Sequence, residues 1–388
     1  MTTTWSQRNL KGDPVIWAVV ILLSVISLLV VYSSVGSLAY KHNHYNTEAY
    51  LVKHFFLLAA GLGAMLLFHK LEYMRFLPKM SRILLLVSVP LLLVTYLKGG
   101  DVNGASRWLT IPLINQAFQP SDLAKLALIT YLASILSKNQ AHIEDFQKSF
   151  LPVILWSGSI CFLIALANVS TAAMLMLTCL VLMFIGRVPV RYLLYLVGAV
   201  LIVGALAFAV GQRGATALHR VEDFLDPSKT PDQTMAGYIA IANGGFFGQG
   251  PGNSHQKDFL PHAYSDFIYA IIVEEYGLLG ACIVMGLYLT LLYRGMVTVS
   301  NSENAFGGLL SAGLSFALAI QAMLNMAVAT GLVPVTGQTL PMLSMGGTSL
   351  LFTGASLGLI LSVSRGSDSK AKSSSTSRTN SARHAPAL

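Results

Sequence analysis

Charge is scarce in this chain. Asp, Glu, Lys and Arg together make up 11% of its 388 residues, well under half the share of an ordinary soluble domain. That excludes a water-soluble globular chain of this length. Cysteine is scarce too. Cys161, Cys179 and Cys282 all lie in apolar segments, which excludes a disulfide framework or a thiolate metal set and reads as buried free thiols. No P-loop signature occurs, and the glycines of 243–254 follow no strand and do not fit the dinucleotide fingerprint. ATP hydrolysis is excluded with them, so any reaction must draw on its substrate or on an ion gradient. Heptads and short-period repeats are absent as well.

Apolar sequence is what remains. Hydrophobic residues make up 54% of the chain, the mean hydropathy is +0.63, and the apolar residues come in runs of about twenty, the length that spans a bilayer as helix. The pattern predicts an all-α polytopic membrane protein with ten transmembrane helices, at 14–35, 51–69, 82–98, 120–137, 150–167, 169–186, 190–211, 266–293, 306–330 and 345–364. The first run is too long for a signal-peptide core and no small-residue cleavage site follows it, so it reads as a retained span. Residues 1–13 form a short N-terminal segment and 14–364 one membrane domain. Its largest loop, 212–265, joins helices seven and eight. Residues 365–388 are basic, Ser-rich and expected to be disordered. Lys and Arg concentrate on the side that holds both termini, so both termini are expected in the cytoplasm and the large loop outside. The net charge of +8 follows from this bias and does not call for nucleic acid.

Ionisable groups inside a bilayer are costly and therefore mark candidate sites. Asp266 closes the polar loop 212–265 and opens the eighth span, where a carboxylate meets water yet reaches a membrane cavity. Its bland alternative is a helix N-cap or first-turn acid. If the helix included Asp266, Ala270, Val273 and Gly277 would share its face, while Glu274 and Glu275 would lie roughly 12–14 Å deeper. Glu274 is then expected to line the lower cavity, and Glu275 to pair with another helix. In the fourth span, Gln119 and Pro120 precede Asp122 and Lys125, an i, i+3 pair that either neutralises itself or touches substrate. Arg107 beside Trp108 is a headgroup cation or a snorkelling belt residue. Arg220, Gln233, Lys257 and His262 belong to the large loop, with His262 read first as a loop hydrogen-bonder. Prolines and glycines in 331–349, around Ser344, imply non-helical backbone at membrane depth, tolerated where it lines a cavity. Gly354 and Gly358 suggest close helix packing.

Six segments in order, 103–109, 119–125, 239–245, 259–267, 274–277 and 331–347, resemble the SEDS family of polytopic glycan polymerases, which includes FtsW, RodA and SpoVE. The resemblance covers about 14–364. It implies a peptidoglycan glycosyltransferase that uses lipid II, with the family's essential loop aspartate at Asp266. Three positions depart from the family pattern: His262 stands where Glu is usual, Tyr264 where His is usual, and Asp122 where Glu is usual.

On this reading one lipid-linked sugar attacks another and releases a lipid pyrophosphate, with Asp266 as general base. Arg107, Lys125, Lys257, Arg220, Gln233 and Ser344 are the candidate substrate-binding residues. Gln119, Asp122, His262, Glu274 and Glu275 support them. A divalent cation, Mg or Mn, held mainly by phosphates fits the leaving group. The resemblance also implies a class B penicillin-binding protein and other divisome proteins as partners, and a place in the bacterial cytoplasmic membrane at the division septum. The polar N-terminal segment and basic tail lean toward division over elongation. A lipid-linked precursor flippase and a non-catalytic divisome scaffold are the rivals.

Overall fold

The computed structural model describes residues 11–35, 47–98, 100–102, 105–111, 116–210, 214–226, 228, 230–260 and 263–383. Twelve α-helices appear among them: α1 (Pro14–Ser34), α2 (Thr47–Lys70), α3 (Tyr73–Lys98), α4 (Pro120–Lys138), α5 (Leu151–Ala167), α6 (Val169–Ile185), α7 (Val190–Val210), α8 (Gly214–Leu225), α9 (Asp232–Gly244), α10 (Ile268–Asn301), α11 (Ala305–Ala329) and α12 (Ser349–Arg383). Seven are long and apolar enough to cross a membrane: α1, α2, α3, α10, α11, the apolar part of α12 over Ser349–Gly366, and α5 with the turn before it. Val169–Ile185 and Val190–Ile202 are shorter apolar helices. The protein is a multi-pass helical membrane protein.

Local chemistry starts several of these helices. Asp13 caps α1, accepting from Val15 N at 2.9 Å, and Pro14 occupies the first turn, where its missing N–H costs nothing. Pro120 opens α4 in the same way. A single extended residue, Asn168, separates α5 from α6, and its side chain accepts from Thr171 N at 3.2 Å. That one cap makes the hairpin.

Helix packing relies on small residues, as expected where lipid is as apolar as leucine. A Cβ at Gly354 would collide with Gly61 O, and one at Gly358 with Met65 O. α12 therefore lies directly on α2. α11 is the central helix, packed against α4, α6, α10 and α12.

The fold is helical as expected, with one small addition: an antiparallel sheet of β1 (Gly100–Val102), β2 (Ala105–Ile111) and β3 (Gln116–Phe118) between α3 and α4. The large loop carries two helices, α8 and α9. α3 begins at Tyr73, well before the expected start, with Pro78 and Pro90 inside it. Cys161 and Cys179 are buried, but Cys282 is exposed on α10, because lipid-facing positions are as apolar in sequence as core ones. α12 runs on helically to Arg383 through the Ser-rich stretch.

α10 breaks at Gly277, whose φ of 68° and ψ of −168° are open to glycine alone. The break frees backbone groups that the turn 245–250 satisfies. Leu278 N donates to Gly245 O at 3.0 Å and Leu279 N to Phe246 O at 3.3 Å, while Gln249 N and Gly250 N donate to Glu274 O and Glu275 O at 2.9 and 3.0 Å. The large loop is thus spliced into a membrane helix through its backbone.

Candidate active site

Asp266 sits in the turn before α10, not in the helix. Phe267 is the N-cap and the first helical residue is Ile268. The bland reading of Asp266 as a cap therefore fails, and so does helical face arithmetic that starts from it. Its half-buried carboxylate accepts from Ser265 Oγ at 2.8 Å. The turn that carries it is held from two sides. Asn325 on α11 donates to Asp266 O at 2.9 Å. Ser344 Oγ donates to Ser265 O at 2.7 Å, and Met345 N to Tyr264 O at 3.0 Å. Tyr264 stands beside this carboxylate. Burial, the Asp266 charge and Tyr50 raise its phenol above the ordinary value, so it stays neutral at any physiological pH.

A second cluster lies within the helices. Lys125 Nζ pairs with Asp122 Oδ1 at 2.8 Å, as the i, i+3 spacing predicts. Asp122 is buried, and its second oxygen, Oδ2, has no partner. The pair lines a cavity of about 50 Å³ together with Thr178, Gln321, Ser349, Thr353 and Ser356. Gln119 precedes the pair as the N-cap of α4, with its backbone N on Thr348 Oγ1 at 3.3 Å and its side chain on Ser121.

Asp266 does not line this cavity; α11 connects the two. Gln321 borders the cavity and donates to Thr339 O at 2.9 Å. One turn on, Asn325 donates to Gln338 O at 2.7 Å and to Asp266 O. Adjacent carbonyls of the 331–348 loop are thus read by two amides on one helix face. The sequence reading missed both. Their signal was available, as amides four residues apart in an otherwise apolar span.

The other candidates are spread wider. Glu274 is fully buried and does not line a lower cavity. It accepts from Ser254 Oγ, from His255 N at 3.1 Å and from Gln256 N at 3.4 Å, so it folds the large loop down onto α10. Glu275 pairs with another helix as expected, through Ser33 of α1. Lys257 Nζ donates to Gly252 O at 2.8 Å, and Arg220 of α8 to Val335 O at 3.0 Å. These cations brace loop backbone, at Gly252 and at Val335. Gln233 is half-buried on α9. Arg107 belongs to β2, but its side chain and all of His262 lie outside the described residues. Among the described residues, no three His, Cys, Asp or Glu side chains gather to hold a metal ion. A cation arriving on a substrate's phosphates needs no such cluster.

The family model of the FtsW, RodA and SpoVE cell cycle proteins matches residues 13–369. The chain belongs to this family. Among its relatives is a probable peptidoglycan glycosyltransferase FtsW of Geobacter sp. (strain M18), 34% identical over 92% of this chain and 98% of the relative. The stage V sporulation protein E of Bacillus subtilis (strain 168) is 31% identical over 92% of this chain and 98% of its own length. Two solved structures share the fold. A chain from a structure described as the structural coordination of polymerization and crosslinking by a peptidoglycan synthase complex superposes with a TM-score of 0.71, 28% identical, covering 92% of this chain and 98% of that one. The rod shape determining protein RodA of Thermus thermophilus superposes with a TM-score of 0.64, 28% identical, covering 91% and 97%. The FtsW/RodA/SpoVE match spans both the Asp266 turn and the Asp122–Lys125 cavity.

Proposed function

We propose that this chain is a peptidoglycan glycosyltransferase that polymerises lipid II at the outer face of the bacterial cytoplasmic membrane, during cell division. Relatives named as such enzymes match over nearly its whole length. The observation that carries the chemistry is Asp266: a half-buried carboxylate in a turn whose carbonyls are held by Asn325 at Asp266 O and by Ser344 at Ser265 O.

The reaction joins one lipid-linked sugar to another. The acceptor hydroxyl gives its proton to the Asp266 carboxylate as its oxygen bonds to the donor's anomeric carbon. The bond from that carbon to the diphosphate oxygen breaks, and the electron pair leaves on the lipid pyrophosphate. Because diphosphate leaves readily, no second carboxylic acid is required, unlike common glycoside hydrolysis. What the leaving group needs is positive charge. Arg107 is the candidate for it, Lys125 being paired with Asp122 in a cavity that Asp266 does not line, while Arg220, Lys257 and Ser344 hold loop carbonyls. A divalent cation, Mg or Mn, would add positive charge at the leaving group if it arrived on the substrate's phosphates. A class B penicillin-binding protein and other divisome proteins are the proposed partners, the first supported by the synthase complex whose chain shares this fold.

The test is the purified chain with lipid II and its partner transpeptidase in liposomes, with glycan chains and movement of lipid II between leaflets both measured. Polymer without transport supports the polymerase. Transport without polymer identifies a flippase, and neither activity identifies a scaffold.

A further inference from the structure

The segment that grips the Asp266 turn is itself strained. Met342 has a φ of 66°, a left-handed conformation that an unbranched side chain adopts only when its surroundings impose it. Buried hydroxyls hold the carbonyls on both sides of it. Tyr288 of α10 donates to Pro341 O, and Ser27 of α1 donates to Leu343 O at 3.0 Å. The next two residues, Ser344 and Met345, make the bonds to Ser265 O and Tyr264 O. The strained turn thus transmits its position to the residues on the N-terminal side of Asp266.

Ser27 has one hydroxyl proton and two neighbours. His54 of α2 places Nε2 2.8 Å from the same Oγ, and both residues are fully buried. His54 Nδ1 is buried without a partner. A proton on Nδ1 would be a donor with no acceptor, which is costly, so the ring carries its proton on Nε2. His54 then donates to Ser27, and the Ser27 proton is committed to Leu343 O. The imidazole therefore fixes the direction of the hydroxyl that holds the strained turn.

We propose that His54 and Ser27 are positioning residues for Asp266, acting through Leu343 and Ser344 to fix the turn that presents the carboxylate. The inference rests on the glycosyltransferase reading. Neither residue touches substrate; both lie behind the site, on helices that supply none of the proposed reacting groups.

The experiment compares Ser27→Ala, His54→Leu and His54→Gln with wild type in the lipid II assay. Gln keeps an N–H where Nε2 stands. Unfolding midpoints and amide exchange over 340–346 are measured on the same samples. The expected result is a kcat lowered roughly 10- to 100-fold in Ser27→Ala and His54→Leu with KM within about twofold, faster exchange at Met345 N, and recovery of most of the kcat in His54→Gln. A wild-type kcat in either Ser27→Ala or His54→Leu overturns the inference, as does a His54→Gln as impaired as His54→Leu. If His54→Leu does not fold, Ser27→Ala, which removes only an oxygen, decides alone. An inactive wild type overturns the glycosyltransferase reading instead, and the exchange measurement then still reports whether the two residues hold the turn.

Discussion

The Ser344 hydroxyl donates to Ser265 O at 2.7 Å while accepting from Leu340 N at 2.8 Å. One side chain thus closes its own turn and fastens it to the residue before Asp266. Ser344→Ala leaves a buried N–H and a carbonyl short of a partner, a loss of about 1–3 kcal/mol. The expected outcome is a modestly lowered unfolding midpoint with a larger fall in kcat than in KM, read by thermal unfolding in detergent and by polymerisation kinetics.

Glu274 holds three groups of the 254–256 segment from within α10. Glu274→Ala would strand two backbone donors and a hydroxyl. Destabilisation of about 3 kcal/mol is expected, together with faster proteolysis of the large loop. Glu274→Gln, which keeps one acceptor oxygen, should fall between. Limited proteolysis of the three proteins side by side checks the order.

Gly277 permits the splice between the large loop and α10. A Cβ there would collide with Phe246 O and Gly248 N, and the residue's φ and ψ exclude other side chains. Gly277→Ala is expected to destabilise by more than about 3 kcal/mol and to free the amides of Leu278 and Leu279 for exchange. Gly286, whose added Cβ meets nothing within 4 Å, is the control, and Gly286→Ala should leave both measurements near wild type.

Tyr264 gives a pH prediction with a definite sign. Burial first, then the Asp266 charge and Tyr50, raises its phenol above 10. A proton held more tightly in the folded state stabilises fully below the unfolded value of 10 and is lost as pH climbs through the folded value. Wild type and Tyr264→Phe should therefore differ by a constant amount in unfolding midpoint between about pH 6 and 9. Above pH 10 the difference should shift in favour of Tyr264→Phe. A pH series of unfolding midpoints reads this directly.

The sequence carried much of this and missed identifiable parts. The expected spans placed the start of α1 at Pro14 and the gap between α5 and α6 at residue 168, and Gly354 and Gly358 pointed to close helix packing, because each acts through neighbours within a turn or through helix periodicity. The Asp122–Lys125 pair was legible for the same reason. The sheet at 100–118 was not, since β1 and β3 are three residues each and the sequence of β2, Ala-Ser-Arg-Trp-Leu-Thr-Ile, does not alternate strictly. The role assigned to Glu274 was wrong because its partners, Ser254 to Gln256, come from a loop whose path depends on the break at Gly277. Asn325 and Asp266 are 59 residues apart, and their bond depends on how α11 packs, which hydropathy does not encode.

Asp266→Asn keeps the shape of the side chain and removes its ability to accept the proton. The decisive measurement is glycan chain formation from lipid II by this variant with its partner, after its unfolding midpoint and partner binding have been matched to wild type. Loss of polymer by roughly 100-fold or more is the predicted result. Wild-type polymer from a folded, partner-bound Asp266→Asn protein would contradict the assignment of Asp266 as the base.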